Sequence, residues 1–346
     1  MKATHSLQHE PFITVGIASY NYARFLPRAF AAMKRQSFRD FEILYCDDGS
    51  TDDSIAVIRG FIKENPELQI RLICGENLGV MGNKKRILDN ARGTYMMLCD
   101  ADDWMGDDCL EKLSAAARET HADRVISQAR EIDERNNIIS IFSFTEPPCK
   151  WACIFHHGCL YRRAFLAEHG ITFQEDVYPD DFYLTLWCNA YAKKIAFIKD
   201  YVYFRYAHAQ STYTGGQMNT DSPWFCINAL RQMLSYALPV RDLVSDQDKN
   251  ELEFELIKRY YSCLSDVRGA PLRQIFTVYK QTHDMMRDAM PEYKNSYYMR
   301  HSAGRPVAAK RRSMMQICIT AEKLHIMWLA IIGLKAVSII SKRRRK

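Results

Sequence analysis

Short apolar runs alternate with amphipathic stretches in the first part of the chain. Four runs predict buried strands, at 12–18, 41–46, 69–74 and 94–99. Three stretches between them repeat apolar residues at helical spacing and predict helices, one ending near Lys34 and the others at 52–63 and 82–91. Ser19-Tyr20-Asn21 is expected to form a turn and cap the first helix. This alternation predicts an α/β fold with a mainly parallel, Rossmann-like sheet, which binds ligands at the carboxyl ends of its strands.

The pattern is more varied after the fourth strand and becomes helical towards the end. Further elements are expected as helices near 109–119 and 182–191 and strands near 124–130, 138–144 and 195–198. Gly215, Gly216 and their polar neighbours interrupt the periodicity, which predicts a domain boundary between Thr214 and Pro223. The sequence therefore predicts an α/β domain over 1–220 and a helical C-terminal region over 221–346.

Composition is that of an ordinary globular protein. Of 346 residues, 47% are hydrophobic and 25% are charged, which excludes disordered, collagen-like and small disulfide-scaffold proteins. The eleven cysteines form no Cys-x-x-Cys pair, and no signal-peptide segment follows Met1. We therefore expect reduced thiols in a cytoplasmic protein.

Basic residues are concentrated at the C-terminal end. Residues 300–346 contain twelve Lys or Arg and a single acid, Glu322. A mostly apolar stretch, 324–340, precedes the basic run 342–346. This stretch is shorter than the roughly 20 apolar residues of a membrane span, so it favours a helix lying in an anionic membrane surface, with Lys335 reaching the headgroups. A helix docked on the protein's own core is the alternative, and no motif indicates a nucleic-acid partner.

An acidic cluster follows the fourth apolar run. Asp100, Asp102 and Asp103 come directly after the strand, at the end where a parallel sheet binds ligands. Carboxylate oxygens suit Mg²⁺ or Mn²⁺ that bridges a diphosphate. Helix capping ahead of Trp104 is the alternative, but three clustered acids repel one another in the absence of a cation. The cluster therefore favours a metal site.

Two further acidic turns stand at comparable positions. Asp47-Asp48-Gly49-Ser50-Thr51 follows the second strand and by itself indicates only a turn. At the same sheet edge as the first cluster, a carboxylate there can accept hydrogen bonds from a nucleobase or a ribose. Pro179-Asp180-Asp181 precedes a predicted helix, where it either caps the helix or supplies a general base for an acceptor hydroxyl.

Together these segments resemble the family 2 glycosyltransferases of the GT-A fold. The motifs match in order and spacing over about residues 11–213, at Thr14–Asn21, Asp47–Asp52, Asn77–Gly79, Ala91–Gly93, Leu98–Trp104 and Asp180–Asp181. The resemblance implies a nucleotide-diphospho-sugar transferase domain, a nucleotide-sugar donor and a divalent cation, Mn²⁺ or Mg²⁺.

The resemblance also implies roles on the donor side. Asp48 resembles the acid that contacts the base, usually uracil, while Ser19, Tyr20 and Asn21 line the nucleoside pocket. Lys84 stands in the place of a basic residue near the diphosphate.

The metal site is implied in the same way. Asp100 and Asp102 resemble the family's DxD motif, with Asp102 as the metal ligand, and Asp103 faces the sugar or supports the site. His208 stands where many relatives have a histidine that completes the metal or phosphate site.

The acceptor side rests on the pair Asp180-Asp181, which resembles the family's acidic pair. The resemblance implies that Asp181 is the catalytic base and that the sugar is transferred with inversion in one displacement step. No Gln-x-x-Arg-Trp run follows Asp181, so a single-addition enzyme is expected rather than a processive, membrane-embedded synthase. Ala18 and Asn83-Lys84-Lys85 depart from the family's usual Pro and Ala-Arg-Asn.

A second cluster of residues has the side-chain types that bind zinc. It comprises Cys149, Cys153, His156, His157 and Cys159. Because the spacing fits no common zinc finger, buried cysteines and acceptor-facing histidines are the favoured interpretation.

The expected function is transfer of one sugar to a lipid-linked or polysaccharide acceptor in cell-surface polysaccharide synthesis. A UDP-sugar is the favoured donor. The expected location is the inner face of the plasma membrane, with 324–346 in contact with lipid. A nucleotidyltransferase is the alternative enzyme, but it should carry a Gly-rich phosphate loop after the first strand. A non-catalytic sugar-binding or scaffold protein of the same fold is the third possibility.

Overall fold

The described residues form two compact units. The computed structural model describes residues 10–144, 148–173, 180–208, 223–300 and 309–343. Within these limits, the first unit comprises 1–144 and 153–207, and the second comprises 145–152 and 208–346. Most of the predicted boundary, residues 214–222, lies outside the described residues.

Nine strands in the described part of the first unit form one sheet. They are β1 Ile13–Ser19, β2 Phe41–Asp47, β3 Gln69–Cys74, β4 Tyr95–Leu98, β5 Trp104–Met105, β6 Arg124–Ile132, β7 Ile138–Phe142, β8 Cys159–Arg162 and β9 Ile195–Tyr206. Their order is β3-β2-β1-β4-β8-β6-β9-β5, with β7 paired to β6. The first four strands are parallel, as predicted, and so are β6 and β9. The pairs that involve β5, β7 and β8 are antiparallel, so the sheet is mixed in its second half.

Helices of the first unit connect these strands. They are α1 Leu26–Lys34, α2 Ser54–Glu64, α3 Gly79–Asn90, α4 Cys109–Thr120, α5 Arg163–Glu168 and α6 Asp180–Tyr191. The predicted cap at Ser19-Tyr20-Asn21 is wrong, because α1 begins only at Leu26, with a proline in its first turn. Proline suits this position because its fixed φ fits a helix and the first-turn amides have no partner within the helix.

Both faces of the central parallel strands, β1, β2 and β4, are buried. Val15 and Ile17 of β1 belong to a core cluster with Phe30 of α1. Leu44 of β2 belongs to a second cluster with Ile87 of α3. Successive side chains of a strand point to opposite faces, so a strand buried on both faces needs apolar residues at every position. This explains why the strand segments are continuous apolar runs in the sequence.

Gly93 allows the loop before β4 to approach β1 closely. A Cβ atom at this residue would lie 2.5 Å from the backbone nitrogen of Thr14 and 2.6 Å from the carbonyl oxygen of Tyr95. Thr14 Oγ1 accepts hydrogen bonds from the backbone N–H groups of Arg92 and Gly93 and donates one to Glu42. Backbone packing therefore explains the glycine of this motif.

The described part of the second unit is helical, as predicted. Its helices are α7 Pro223–Arg241, α8 Asp246–Asp266, α9 Leu272–Ala289, α10 Tyr297–Arg300, α11 Ala309–Lys323 and α12 Met327–Arg343, with 3-10 turns at Lys150–Ala152 and Tyr293–Asn295. Trp151 Nε1 donates to Asp248 Oδ1 at 2.8 Å, and Cys149 Sγ donates to Glu251 Oε2 at 3.2 Å. These bonds to α8 explain why the segment 145–152 belongs to the second unit.

A buried carboxylate joins α11 to other helices of the second unit. Glu322 of α11 has a side chain that is 0% exposed, and Lys294 Nζ lies 3.8 Å from it. The carboxylate accepts hydrogen bonds from the hydroxyls of Tyr260, Tyr261 and Tyr293, at 2.5, 3.0 and 2.5 Å. A charged group therefore lies at the centre of the helical core, with three hydroxyl donors around it.

One face of α12 is covered and another is exposed. Met327 and Ile331 are buried, whereas Trp328 is 52% exposed. Lys335 Nζ donates to the carbonyl oxygens of residues 269–270, at 2.8 and 2.7 Å. Lys335 therefore fixes α12 to the loop between α8 and α9 and does not reach outward as predicted. Among the described helices, none combines the length and apolar content needed to cross a bilayer.

Candidate active site

The carboxyl ends of β1, β2 and β4 lie side by side. Ser19, at the end of β1, is paired with Asp47, at the end of β2. The backbone N–H of Asp48 donates to the carbonyl oxygen of Ser19 at 2.9 Å, and that of Cys99 donates to the carbonyl oxygen of Gly16 at 2.9 Å. The acidic turns after β2 and β4 therefore start from the same edge of the sheet.

Asn21 shapes the turn that follows β2. Its Oδ1 atom accepts hydrogen bonds from the backbone N–H groups of Thr51 and Asp52, at 2.7 and 3.2 Å. Asn21 has a φ of +58°, a left-handed conformation that asparagine adopts more easily than most residues. Beside it, Tyr20 is 43% exposed at the sheet edge, and Ser19 is buried. Their predicted contact with a nucleoside remains a prediction.

Asp48 is buried and ties this edge to α3. Its Oδ1 atom accepts the backbone N–H of Leu78 at 2.9 Å and lies 3.5 Å from Arg86 Nη1. Arg86 also donates to the carbonyl oxygen of Asp47 at 3.3 Å and to Asn83 Oδ1 at 3.0 Å. Arg86, which no sequence motif indicated, therefore links both acids of the turn to the helix that carries Lys84.

Three basic side chains surround the carboxylate of Asp100. Lys84 Nζ and His156 Nε2 lie 3.7 and 3.6 Å from Oδ1, and His157 Nε2 lies 3.5 Å from Oδ2. All three are buried, and the two imidazole rings stack with centroids 4.2 Å apart. Removal from water opposes ionisation of Asp100, but Lys84 and His156 outweigh it, so the pKa of Asp100 is well below its usual range.

Asp103 has the opposite electrostatic environment. It is buried, and its Oδ1 atom accepts the backbone N–H of Tyr206 at 2.8 Å. Burial and the nearby charges of Asp102 and Asp100 raise the pKa of Asp103 well above its usual range. The repulsion expected among three clustered acids is therefore opposed by basic neighbours at Asp100, while burial beside Asp102 and Asp100 disfavours the charged form of Asp103.

The helix-cap interpretation of this cluster is wrong. Trp104 and Met105 form the short strand β5, which pairs antiparallel with β9. The next helix, α4, begins at Cys109 with Asp108 at its N-cap. The acids therefore lie between two strands of the sheet.

Buried side chains fix the positions of Asp100 and the two histidines. The hydroxyl of Tyr203 accepts the backbone N–H of Asp100 at 3.1 Å. Ser127 Oγ donates to the carbonyl oxygen of Gly158 at 2.7 Å. Gly158 has a φ of +66°, and a Cβ atom there would lie 2.4 Å from Ser127 Oγ. The residue after His157 therefore has to be a glycine.

Arg124 holds the chain before the histidines. Its guanidinium is fully buried and donates to the carbonyl oxygens of Cys153 and Phe155, at 3.1 and 2.7 Å, and to Asn189 Oδ1 at 2.6 Å. Its Nη2 atom also lies 3.6 Å from Cys159 Sγ. Cys153 and Cys159 therefore pack around a guanidinium in the core, which matches the expectation of buried cysteines.

The structure brings together some of the predicted site residues and leaves others apart. Lys84 Nζ lies 3.7 Å from Asp100, and its predicted role near a diphosphate stays a prediction. Asp180 and Asp181 begin α6, but their side chains lie outside the described residues. His208 is buried and belongs to the second unit, so the structure assigns it no relation to the acids.

The convergence of His156 and His157 on Asp100 is the main feature that the sequence analysis missed. Each of these three residues offers one atom that can bind a metal ion. In the described part of the chain, these three atoms lie within 4.8 Å of one another. The cause is the antiparallel pairing of β8 with β4, which brings the start of β8 to the end of β4. The sequence does show two adjacent histidines, but it does not show that the strand after them, β8, pairs with β4.

A protein-family model matches the N-terminal part of the chain. Residues 14–170 match the family model described as Glycosyl transferase family 2. This segment contains the acidic turns after β2 and β4 and the two histidines.

Two characterised bacterial proteins are similar in sequence. Chondroitin synthase of Escherichia coli is 28% identical over 136 residues, which cover 39% of this chain and 20% of that protein. A second protein, from Campylobacter jejuni, is named GalNAc(5)-diNAcBac-PP-undecaprenol beta-1,3-glucosyltransferase. It is 24% identical over 229 residues, which cover 60% of this chain and 69% of that protein. The chain therefore spans only a fifth of the length of the first of these relatives.

A solved structure shows the same fold. Residues 1–349 of S. aureus TarS, crystallised with UDP-GlcNAc, superpose with a TM-score of 0.62 at 18% sequence identity. The match covers 82% of this chain and 91% of the TarS chain.

Proposed function

We propose that this protein transfers a single sugar from a nucleotide-diphospho-sugar to an acceptor hydroxyl, because residues 14–170 match the model of glycosyl transferase family 2. The observation that carries the proposal is the group of charged residues at the carboxyl end of β4. There, the anionic Asp100 and the cationic Lys84 face each other across 3.7 Å, next to the partly exposed Asp102. Such a site can bind both a cation and a diphosphate, which are the two charged components of the reaction.

UDP-sugars are the proposed donors. The structural neighbour TarS was crystallised with UDP-GlcNAc, and this supports a UDP-sugar as the donor. Asp48, Ser19, Tyr20 and Asn21 would bind its nucleoside, as the family resemblance implies. Leu78 and Arg86 hold the carboxylate of Asp48 in one position, which suits its proposed contact with the base.

A divalent cation, Mn²⁺ or Mg²⁺, is the proposed cofactor. The donor set fits such an ion, because Asp100 and Asp102 follow β4 directly and carboxylate oxygens are its preferred ligands. When bound, the cation neutralises the negative charge that develops on the leaving diphosphate. In this proposal, Lys84 binds the same diphosphate and Asp103 supports the loop through Tyr206. The role of His208 as a further ligand of the metal or the phosphate stays a prediction of the family resemblance.

The proposed reaction inverts the anomeric centre. Asp181, with Asp180 before it in the first turn of α6, would accept the proton of the acceptor hydroxyl. The hydroxyl oxygen then attacks the anomeric carbon from the face opposite the diphosphate, and the C–O bond to the diphosphate breaks in the same step. The proton stays on Asp181, and the nucleoside diphosphate leaves with the electron pair.

The proposed acceptor is a lipid-linked or polysaccharide glycan of the cell surface. Support comes from the names of the relatives, since one is a chondroitin synthase and the other acts on an undecaprenol-linked saccharide. The second unit carries an exposed apolar face that suits an enzyme whose acceptor lies in a membrane.

Nucleotide release tests this function directly. With Mn²⁺ present, one UDP-sugar of a panel of UDP-, GDP- and dTDP-sugars should be hydrolysed or transferred, and EDTA should stop the reaction. Asp102→Ala should lower the rate by at least about 100-fold, because metal stabilisation of the leaving group amounts to several kcal/mol. Asp107→Ala, which changes an exposed acid in the turn between β5 and α4, should leave the rate unchanged. If no donor bound, with or without metal, the scaffold interpretation would replace this proposal.

An anionic membrane surface is the proposed partner of the second unit, at the inner face of the plasma membrane. Its support is a set of exposed apolar side chains on α11, α12 and the turn between them: Ile317, Leu324, Trp328, Leu329, Ile332 and Val337. The sequence places five basic residues, 342–346, directly after them. Apolar side chains with flanking cations are typical of helices that lie in an anionic interface.

Vesicle sedimentation tests this surface. The protein should bind phosphatidylglycerol vesicles at least about tenfold more tightly than phosphatidylcholine vesicles, and Trp328→Glu should weaken that binding about tenfold. Leu272→Glu is the matched control, since Leu272 is 40% exposed on α9 of the same unit. Equal binding by both variants would place the contact elsewhere.

A further inference from the structure

We propose that Asp100, His156 and His157 together bind a divalent transition-metal ion. This inference rests on the proposed function and deepens it, because it assigns two histidines as ligands and defines the class of ion that the transferase uses. Neither histidine belongs to the motifs that carried the sequence resemblance.

The distances fit a shared ion. Nε2 of His156 and Nε2 of His157 lie 3.6 and 3.5 Å from the two oxygens of Asp100. Ligands of a tetrahedral ion with bonds of about 2.0 Å lie about 3.3 Å apart. One ligand atom from each of the three residues lies within 4.8 Å of the other two, so the side chains would move closer together around a bound ion. The stacked rings, inclined by 25°, present both imidazoles to the same carboxylate.

The protein fixes this geometry through contacts that need no ion. Arg124 binds the carbonyl oxygens on either side of residue 154, and Ser127 binds that of Gly158, so the segment that carries the histidines is held at both ends. Tyr203 binds the backbone of Asp100. Ligands held by a surrounding layer of hydrogen bonds give a well-defined metal site.

The donor set decides the class of ion. Two imidazoles and one carboxylate suit Zn²⁺, Co²⁺, Fe²⁺ and Mn²⁺, whereas Mg²⁺ prefers oxygen ligands and retains its water. Imidazole ligation therefore distinguishes this site from an all-carboxylate site, and the ion it selects is a transition metal.

Lys84 makes affinity depend on a bound diphosphate. Its ammonium lies 3.7 Å from Asp100, and its repulsion weakens binding of a second cation when no anion is present. A diphosphate adds negative charge next to both cations. We therefore expect the metal to bind alone and to bind more tightly when UDP is added.

Cobalt titration of the metal-free, full-length protein tests the site. Co²⁺ should produce visible d–d absorption with one ion per chain, Zn²⁺ should displace it, and an equal concentration of Mg²⁺ should not. His156→Gln and His157→Gln should each weaken Co²⁺ binding by at least about tenfold. His121→Asn is the matched control, because His121 is an exposed histidine of the same unit in a left-handed conformation that asparagine tolerates.

X-ray absorption of the Zn²⁺-loaded wild type provides a measurement that needs no variant. Two imidazole ligands should be detected, and a spectrum with none would overturn the proposal. Unchanged Co²⁺ affinity in both glutamine variants would also overturn it. If UDP-sugar turnover proceeds with Mg²⁺ while Co²⁺ does not bind, the metal site fails and the transferase function stands. If Co²⁺ binds through the histidines while no donor is turned over, the function fails and the site stands.

Discussion

Asp181→Asn should lower kcat for sugar transfer by about 10²–10⁴-fold and leave UDP affinity within about twofold. The substitution keeps the shape of the side chain but removes its basicity, and a positioned general base contributes a rate factor of this size. UDP affinity should hold because the proposed proton acceptor contacts the acceptor sugar and not the nucleotide. The measurement combines steady-state UDP release in the presence of acceptor with calorimetric titration of UDP.

The control for this variant is Asp108→Asn. Asp108 also stands at the start of a helix of the first unit, as the N-cap of α4, and its side chain pairs with Lys112 on the surface. If Asp108→Asn and Asp181→Asn gave the same kcat, Asp181 would not be the base. A loss in Asp180→Asn alone would move that role to the preceding residue.

The first half of the sheet could be predicted from sequence because its central strands, β1, β2 and β4, are buried on both faces. Continuous apolar runs identify such strands without knowledge of their partners. The edge strand β3 is only partly buried, and its predicted bounds, Gln69–Cys74, also agree with the structure. Strictly alternating helices then require parallel pairing, which brings Asp47, Asp48 and Asp100 to one edge. The local pattern of apolar residues was therefore enough to predict that these acids lie close together.

The remaining parts of the site depend on contacts between distant segments. The histidines reach Asp100 because β8 pairs antiparallel with β4, and no local pattern indicates that pairing. Arg86 binds Asp48 across 38 residues of sequence, and Arg124 binds the chain near residue 155. Buried arginines are uncommon, but a sequence does not show which arginine is buried.

The start of α1 shows how a local signal can mislead. Asn21 is a good helix-capping residue type, yet its amide oxygen binds the turn after β2, because parallel pairing of β1 and β2 places that turn beside it. The same property, a short side chain that hydrogen-bonds to backbone N–H groups, serves a turn here and would serve a helix elsewhere.

Glu322→Leu should lower the free energy of unfolding of the second unit by about 3–5 kcal/mol, because it removes one partner of a buried charged network. Three tyrosine hydroxyls and the ammonium of Lys294 would lose their acceptor within the helical core. Glu322→Gln keeps one acceptor oxygen and should cost less. Urea unfolding followed by circular dichroism, with hydrogen exchange of α8 and α11, measures both variants.

Glu292→Gln is the control for this network, because Glu292 is an exposed glutamate of the same unit and its replacement should change stability by less than about 0.5 kcal/mol.

The network also predicts a pH dependence. Burial and the charge of Glu322 raise the pKa of Tyr260, Tyr261 and Tyr293, so the folded state favours their neutral forms. This preference stabilises the folded state fully while the pH is below the ordinary tyrosine pKa of about 10. The stabilisation is lost as the pH rises above that value. A second unit that kept its stability in Glu322→Leu would show that apolar packing alone holds α11 in place.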